Sequence, residues 1–536
     1  QWADEPGRFE FPVISIVQSS GFGKSRLLRE LANRTKDDPH GAMKVLYTCV
    51  RAGNVEDSTA YPQATFPTVD WRSEPYRDHH AELVTKLFRL FDFAASQWGS
   101  VGTEWFSLFD DQADTEIYRR LATHMVKSTK PSQTETEAPR ILVLAIDEAR
   151  TLLATAAYDE NGWFRRLCSA LVTVAAQIHA TYSPSASLFA VLVDTSPAII
   201  ARYAAPELVA RESWSGGASQ LFPPFVLTHT MDVRFNELIQ DAQHRGISSI
   251  QFYQSLVGCE GHDAWCKLVL MGRPVWDHVK RNNRSSHEEP SQVIQLAADL
   301  LLGGFRAYDW RSFKKDSLFG AASILCRLGL RTSSWSSLAP RTVADFGSTL
   351  LHVSVSHDQL WTTYASEPVL TFGAARVWYQ SSSVEDPHGP LAQHLLPQFH
   401  KLLSQELIET NGISPANPVG RIVLLLTMDA VGAAMVLYAS EARYGREYAG
   451  DFYSVEAFLT VLYGDQAVLV QDCEHKDVTR TSGAKVQEWL QQWRGWKVGF
   501  SHFVQVTSEP TEHDLWVLLA RRAAGVQTSD EPNPEP

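Results

Sequence analysis

The sequence predicts an α/β fold, a parallel sheet flanked by helices, on three observations. Short strand-like runs stand at residues 14–17, 44–50, 141–146 and 188–193, and that at 141–146 is continuously apolar, as strands buried on both faces tend to be. Helix-like stretches alternate with them, the pattern of a parallel sheet. Polar residues stand at the C-terminal ends of three runs, where open α/β sheets place their sites.

The first run leads into Gln18-Ser19-Ser20-Gly21-Phe22-Gly23-Lys24-Ser25-Arg26 and then an apolar-periodic stretch with Leu27, Leu28 and Leu31. Strand, glycine-rich turn and helix start together predict a phosphate-binding loop. Gly21 and Gly23 let the backbone turn and aim successive N–H groups at phosphates lying on the positive end of the helix. Ser20 to Arg26, with Gly21, Phe22, Gly23, Lys24 and Ser25 between them, are the expected nucleotide-binding residues. Lys24 is expected to reach the outer phosphates and Ser25 to hold magnesium. Gln18 stands where the usual pattern has glycine.

After the second strand, residues 51–77 are irregular and read as an insertion over the site. Helices are expected at 79–98 and 115–126, with a polar linker at 127–140. The run at 141–146 ends in Asp147 and Glu148. Asp147 is expected to hold magnesium through water and Glu148 to polarise the attacking water. A helix at 163–182 leads to the strand at 188–193, which ends in Asp194-Thr195-Ser196. NTPases that insert a strand between their nucleotide motifs carry a polar residue there, which suits Asp194 or Thr195 as a sensor of the terminal phosphate. The same residues also suit an ordinary turn and helix start before Pro197. Residues 204–224 read mostly as loop, and Arg211 within them as a phosphate-sensing arginine or, more simply, a solvated charge.

From residue 232 helices dominate. Stretches at 235–244, 248–257 and 263–271 form an expected helical lid over 232–290, following a nucleotide core over 1–231. The lid contains Gly272-Arg273-Pro274, which reads either as helix punctuation or as a nucleotide-facing element. A mostly α-helical region is expected over 291–526, with helices at 293–305, 318–328, 422–440, 455–463 and 482–493 and a strand within 499–506. A loop is read at 381–390 and a disordered acidic, proline-rich tail over 527–536. Asp429 interrupts the run at 422–440, where a charge would cost roughly 2.5–3.5 kcal/mol on membrane insertion, so a buried core helix is expected there and no membrane partner.

At 536 residues the chain has room for about three or four domains. With 44% hydrophobic and 20% charged residues it belongs with globular rather than disordered chains. A net charge of −13 argues against a broad nucleic-acid surface, so nucleic acid stays open as a partner that the charge does not support. The six cysteines form no C-x-x-C pair and read as free thiols in a reducing, intracellular setting, cytoplasmic or nuclear. The chain opens at Gln1, and no secretory signal is visible in it.

The ordered set of loop, Asp-Glu strand, polar strand end and Gly-Arg-Pro element resembles fungal P-loop ATPases related to the Crinkler effectors, and more broadly the STAND and AAA-type ATPases. The likeness is most specific at residues 17–26, glutamine for the first glycine included. It implies ATP as the nucleotide, with Gly272, Arg273 and Pro274 in a lid whose Gly-x-Pro packs on adenine. It also implies a C-terminal nuclease-like domain in some members. Here Asp465 precedes Glu474-His475-Lys476, but the apolar run at 467–470 does not lead directly into Glu474, and a solvated charged loop is the better account.

The expected function is a regulatory module that binds and hydrolyses Mg-ATP and passes nucleotide state to the C-terminal region, which offers a surface for a protein partner. Lys24, Glu148, Asp194 and Thr195 are the expected catalytic residues. The alternatives are a P-loop kinase and a non-catalytic ATP-binding scaffold. A GTPase is disfavoured because no Asn-Lys-x-Asp signature occurs.

Overall fold

The computed structural model describes residues 11–36, 43–49, 79–97, 141–150, 162–182, 186–199, 222–226, 228–282, 289–304, 320–354, 358–379, 391–409, 416–438, 450–463, 489 and 491–527. The insertion at 51–77, the helix expected at 115–126, the linker at 127–140, Arg211, the loop at 381–390, Asp465 and Glu474 to Lys476 lie outside these residues, as does the tail from residue 528. The chain divides into two compact units. The first comprises Gln1–Gln18, Gly23–Leu227 and His352–Gln359, and the second Ser19–Phe22, Thr228–Leu351 and Leu360–Pro536.

The first unit is built on a five-stranded, wholly parallel sheet flanked by helices. Its strands are β1 (Val13–Val17), β2 (Met43–Cys49), β3 (Ile141–Asp147), β4 (Ser187–Asp194) and β5 (Phe225–Val226). They lie in the order β2-β3-β4-β1-β5. The strand ending in Asp194 therefore separates the glycine-rich loop's strand from the strand ending in Asp-Glu, as expected of an inserted strand. Helices α1 (Lys24–Lys36), α2 (His79–Gln97) and α3 (Gly162–Thr181) accompany the sheet. One core joins Leu28 and Ala32 of α1, Leu87 and Phe91 of α2, and Leu171 and Ile178 of α3 to the strand residues. Just past α3, Tyr182 sets its ring edge-on to Phe91 and gives its hydroxyl to the buried Asp92.

Register decides what these strands bring together. Val17 pairs with Asp194, Asp147 with Val193, and Cys49 with Asp147, so β1 to β4 run out at nearly one level. Parallel pairing thus carries the polar residues after each apolar run to one edge of the sheet.

The second unit is mostly helical. It begins with α4 (Val233–His244), α5 (Ser249–Val257), α6 (Gly261–Leu268) and α7 (Val275–Asn282). A reciprocal cap explains the start of α5: Ser248 accepts from the Gln251 amide, and the Gln251 side chain accepts from the Ser248 amide. Then come α8 (Glu289–Leu301), α9 (Ala321–Leu328), α10 (Leu338–Asp345) and α11 (Pro368–Tyr379). A π-helical turn at Leu391–Leu395 precedes α12 (Leu396–Ser404), α13 (Ala416–Tyr438), α14 (Val455–Tyr463) and α15 (Glu512–Ala520). A single hydrophobic cluster runs from Phe235 through Trp276, Leu325 and Trp378 to Ala520, so the ranges read as lid and C-terminal region share one core.

Short strands also occur where only one was expected. Arg331–Thr332 and Ile408–Glu409 form one antiparallel pair, Tyr453–Ser454 and Lys497–Val498 another, and His502–Val506 and Ala523–Gln527 a parallel pair. Most are two residues long, too short for an alternating pattern to register.

Asp429 explains how α13 is both apolar and interrupted. Its carboxylate is buried and takes two bonds from Arg327 of α9, at 2.7 and 2.8 Å, and one from the Tyr379 hydroxyl at 2.7 Å. The guanidinium also lies 4.2 Å from the centre of the Trp378 ring. Among the described residues no helix is long and apolar enough to cross a membrane.

Candidate functional site

The edge where β1, β3 and β4 end gathers Lys24, Ser25, Asp147, Glu148 and Asp194, five of the residues the sequence points to. The Ser25 hydroxyl donates to Asp147 Oδ2 at 2.5 Å, across 122 residues of chain. Lys24, only 9% exposed, gives its ammonium to the Gln18 carbonyl at 2.8 Å. Burial pulls its pKa down to about 8, and Asp147, Asp194 and Glu148 act against that fall while Arg150 adds to it. The lysine is therefore within electrostatic reach of all three acids and one further cation.

Asp147 has a second donor that the sequence did not suggest, the Tyr47 hydroxyl on β2 at 2.9 Å. Its other oxygen accepts the Glu148 amide at 3.0 Å. Glu148 itself stands at φ 57, a left-handed conformation that costs a non-glycine residue of order 1–3 kcal/mol. That conformation persists because its surroundings hold it. Arg150, two residues on, gives its amide to Asp194 Oδ2 at 2.5 Å and an Nη2–H to Glu148 Oε2 at 3.2 Å. Its Nε lies 3.4 Å from Asp194 Oδ1.

Asp194 is buried and takes the Ser196 amide at 2.8 Å as well. Burial raises its pKa, against the lowering effect of Arg150 and the two amides. The Thr195 hydroxyl is buried with no hydrogen-bond partner in the structure.

The remaining expected residues belong to the loop and the second unit. Gly21 and Gly23 hold φ 87 and 83, so both need the freedom that glycine has. A side chain at Gly21 would also come within 2.7 Å of Val275 and 2.9 Å of Arg273. Ser20 is exposed, whereas Phe22 is buried beneath the Arg273 guanidinium, 4.9 Å from the ring centre. Arg26 points into water, with Glu30 at 3.9 Å.

Arg273, read as a residue that faces phosphates, directs its donors to protein atoms. Nη1 reaches the Ser20 carbonyl at 2.9 Å and Ser19 Oγ at 3.3 Å, Nη2 the Gly347 carbonyl at 2.8 Å, and Nε and Nη2 the Glu367 carboxylate at 2.7–3.2 Å. Both side chains are wholly buried. Glu367 also takes the Arg273 amide and Trp276 Nε1, each at 3.0 Å. Gly272 packs against Glu367 and gives its amide to Asp232 at 2.6 Å, and Pro274 leads into α7. Glu367 lies 94 residues from Arg273, and no local pattern marks it as the partner.

Two oxygen ligands side by side, the half-buried Ser25 hydroxyl and the buried Asp147 carboxylate, suit a small hard cation such as Mg²⁺. Among the described residues no group of three or more His, Cys, Asp or Glu side chains is placed to hold a metal. Compared with protein-family models, curated proteins and solved structures, the chain returns no match.

Proposed function

We propose that the first unit binds Mg-ATP and hydrolyses it, as a regulatory module whose nucleotide state is read by the second unit. The observation that carries this reading is the 2.5 Å contact between Ser25, next to the glycine-rich loop's lysine, and Asp147, the first acid of the Asp-Glu pair. A phosphate-binding turn and a strand-end acid must meet for either to handle a metal-bound phosphate.

In this reading Lys24 holds outer phosphate oxygens, and Ser25 and Asp147 hold Mg²⁺, directly or through water. The metal, when bound, neutralises charge on the phosphates. Glu148 orients water for attack, and the partnerless Thr195 hydroxyl supplies a donor near the terminal phosphate. Catalysis is positioning and charge compensation rather than covalent chemistry. A net negative set of three acids and two cations favours the metal-bound form of a polyanion over the free one. The loop residues Ser19–Phe22 belong to the second unit, where Arg273 fixes the Ser20 carbonyl, and this supports a role for that unit. ATP as the nucleotide rests on the resemblance to the Crinkler-related ATPases.

The test is phosphate release and equilibrium nucleotide binding by the purified chain, with ATP and GTP, with and without Mg²⁺. Hydrolysis lost in both Glu148→Gln and Lys24→Ala, with Mg-ATP binding kept only in Glu148→Gln, is the expected outcome. Tight binding without turnover in the parent protein would make it a scaffold instead. Transfer of phosphate to an added acceptor rather than to water would make it a kinase.

A further inference from the structure

We propose that Arg150 is a positioning residue of this site, one that holds the Glu148 carboxylate in place by bridging it to Asp194. The inference rests on the hydrolytic reading above and names a residue outside the loop and the Asp-Glu pair.

Three observations carry it. First, the turn after β3 is fixed from both sides. Asp147 Oδ1 accepts the Glu148 amide at 3.0 Å, and Asp194 Oδ2 accepts the Arg150 amide at 2.5 Å. This holds the backbone but leaves the Glu148 side chain three rotatable bonds. Second, the Arg150 guanidinium turns back over that backbone, with Nη2 3.2 Å from Glu148 Oε2 and Nε 3.4 Å from Asp194 Oδ1. A planar fork can touch two carboxylates at once, which a lysine ammonium on a single flexible stem does poorly. Third, the three groups differ in exposure. The Asp194 side chain is fully buried, Glu148 is 19% exposed and Arg150 39%. Asp194 is thus the anchor, Arg150 the bridge, and Glu148 the end that still meets solvent.

The arrangement matches the needs of a group that orients water. Such a carboxylate must be ionised, reachable and held within a fraction of an ångström, because a displacement of about 1 Å can cost on the order of a hundredfold in rate. Arg150 limits the movement without burying the group.

The experiment uses the full chain with Mg-ATP. Arg150→Ala is expected to lower kcat about 10- to 100-fold while the dissociation constant for Mg-ATP changes less than about threefold. Arg150→Lys should recover part of the loss. In a Glu148→Gln background, adding Arg150→Ala should lower the residual rate no further, because the arginine acts through that carboxylate. Equal kcat in parent and Arg150→Ala, a higher kcat in Arg150→Ala, or a further loss on top of Glu148→Gln would each overturn the proposal. If Arg150→Ala does not fold, the Arg150→Lys comparison in the two backgrounds decides by the same criterion. A parent protein that neither binds nor hydrolyses Mg-ATP would instead remove the reading beneath it, an outcome distinct from these.

Discussion

Four acids in this molecule are equally hidden from water, yet their partners differ. In the second unit Glu367 and Asp429 each receive a two-pronged arginine, with a tryptophan or tyrosine donor besides. In the first unit Asp147 and Asp194 take neutral donors, namely Ser25, Tyr47 and backbone amides, and the nearest arginine is partly exposed. Lys24 meanwhile gives its amine to the Gln18 carbonyl. Buried charges neutralised one for one belong to a scaffold. A buried set whose charges are only loosely matched is suited to a charged visitor, and that contrast separates the two regions more sharply than burial does.

The contrast is easiest to break in the second unit. Asp429→Ala strands the Arg327 guanidinium in the core and is expected to cost about 3–5 kcal/mol, read from the unfolding midpoint in urea. Lys24→Met should change stability at pH 7 by less than about 1 kcal/mol, because removing a costly buried charge offsets the lost bond to Gln18, while Mg-ATP binding disappears. If the two variants destabilise alike, the distinction drawn here fails.

Acid sharpens it further. His502 is buried between Ser366 and Ser501, 2.8 and 3.0 Å away, and burial aided by Arg521 and Arg327 pushes its pKa down to about 3. The unfolded chain takes up this proton near pH 6.5 and the folded one does not, so stability present above pH 6.5 is lost as pH falls towards 3. The slope from this group is roughly 1.4 kcal/mol per pH unit, and His502→Gln should flatten it in a pH series of denaturant melts.

Lys24 gives the same sign at the other end of the scale. With its folded pKa about 8 against an ordinary 10.5, stability should rise between those values as the folded protein sheds a proton that the unfolded chain keeps. In the same range Mg-ATP binding should weaken by up to tenfold per pH unit and take up a proton, measurable by calorimetry in buffers of different ionisation enthalpy. The smallest effect is expected from Tyr47→Phe, which removes one neutral donor from Asp147 and should cost about 1 kcal/mol, with a modest rise in the Mg²⁺ concentration needed for turnover.

Much of the first unit was legible because its signals are local. Short, largely apolar runs marked β1 to β4, and the polar residues at their ends marked the site, since parallel pairing carries such ends to one edge. Tyr47 and Arg150 were not legible in their roles. Tyr47 sits inside a largely apolar run and meets Asp147 only through the β2–β3 register, and Arg150 follows the strand end with no local pattern to show that its guanidinium turns back. The second unit gave up its helices by periodicity but hid its pairings, because Arg273 with Glu367 and Arg327 with Asp429 are separated by 94 and 102 residues. Asp429 marked the apolar helix as one buried in the protein core, but nothing local pointed to Arg327 as its partner.

The Arg327 side chain also donates its Nε–H to the Ser501 carbonyl, and Arg521 joins Ser366 to Asp232. Atoms near residue 232 therefore wait for partners made almost 300 positions later during synthesis. A nascent chain emerging from the ribosome holds Asp232 without Arg521, and Arg327 without the Ser501 carbonyl, until those late residues are out, so the second unit is expected to close late. Chaperone binding to ribosome-held intermediates ending before residue 500 is the cellular trace such an assembly order would leave.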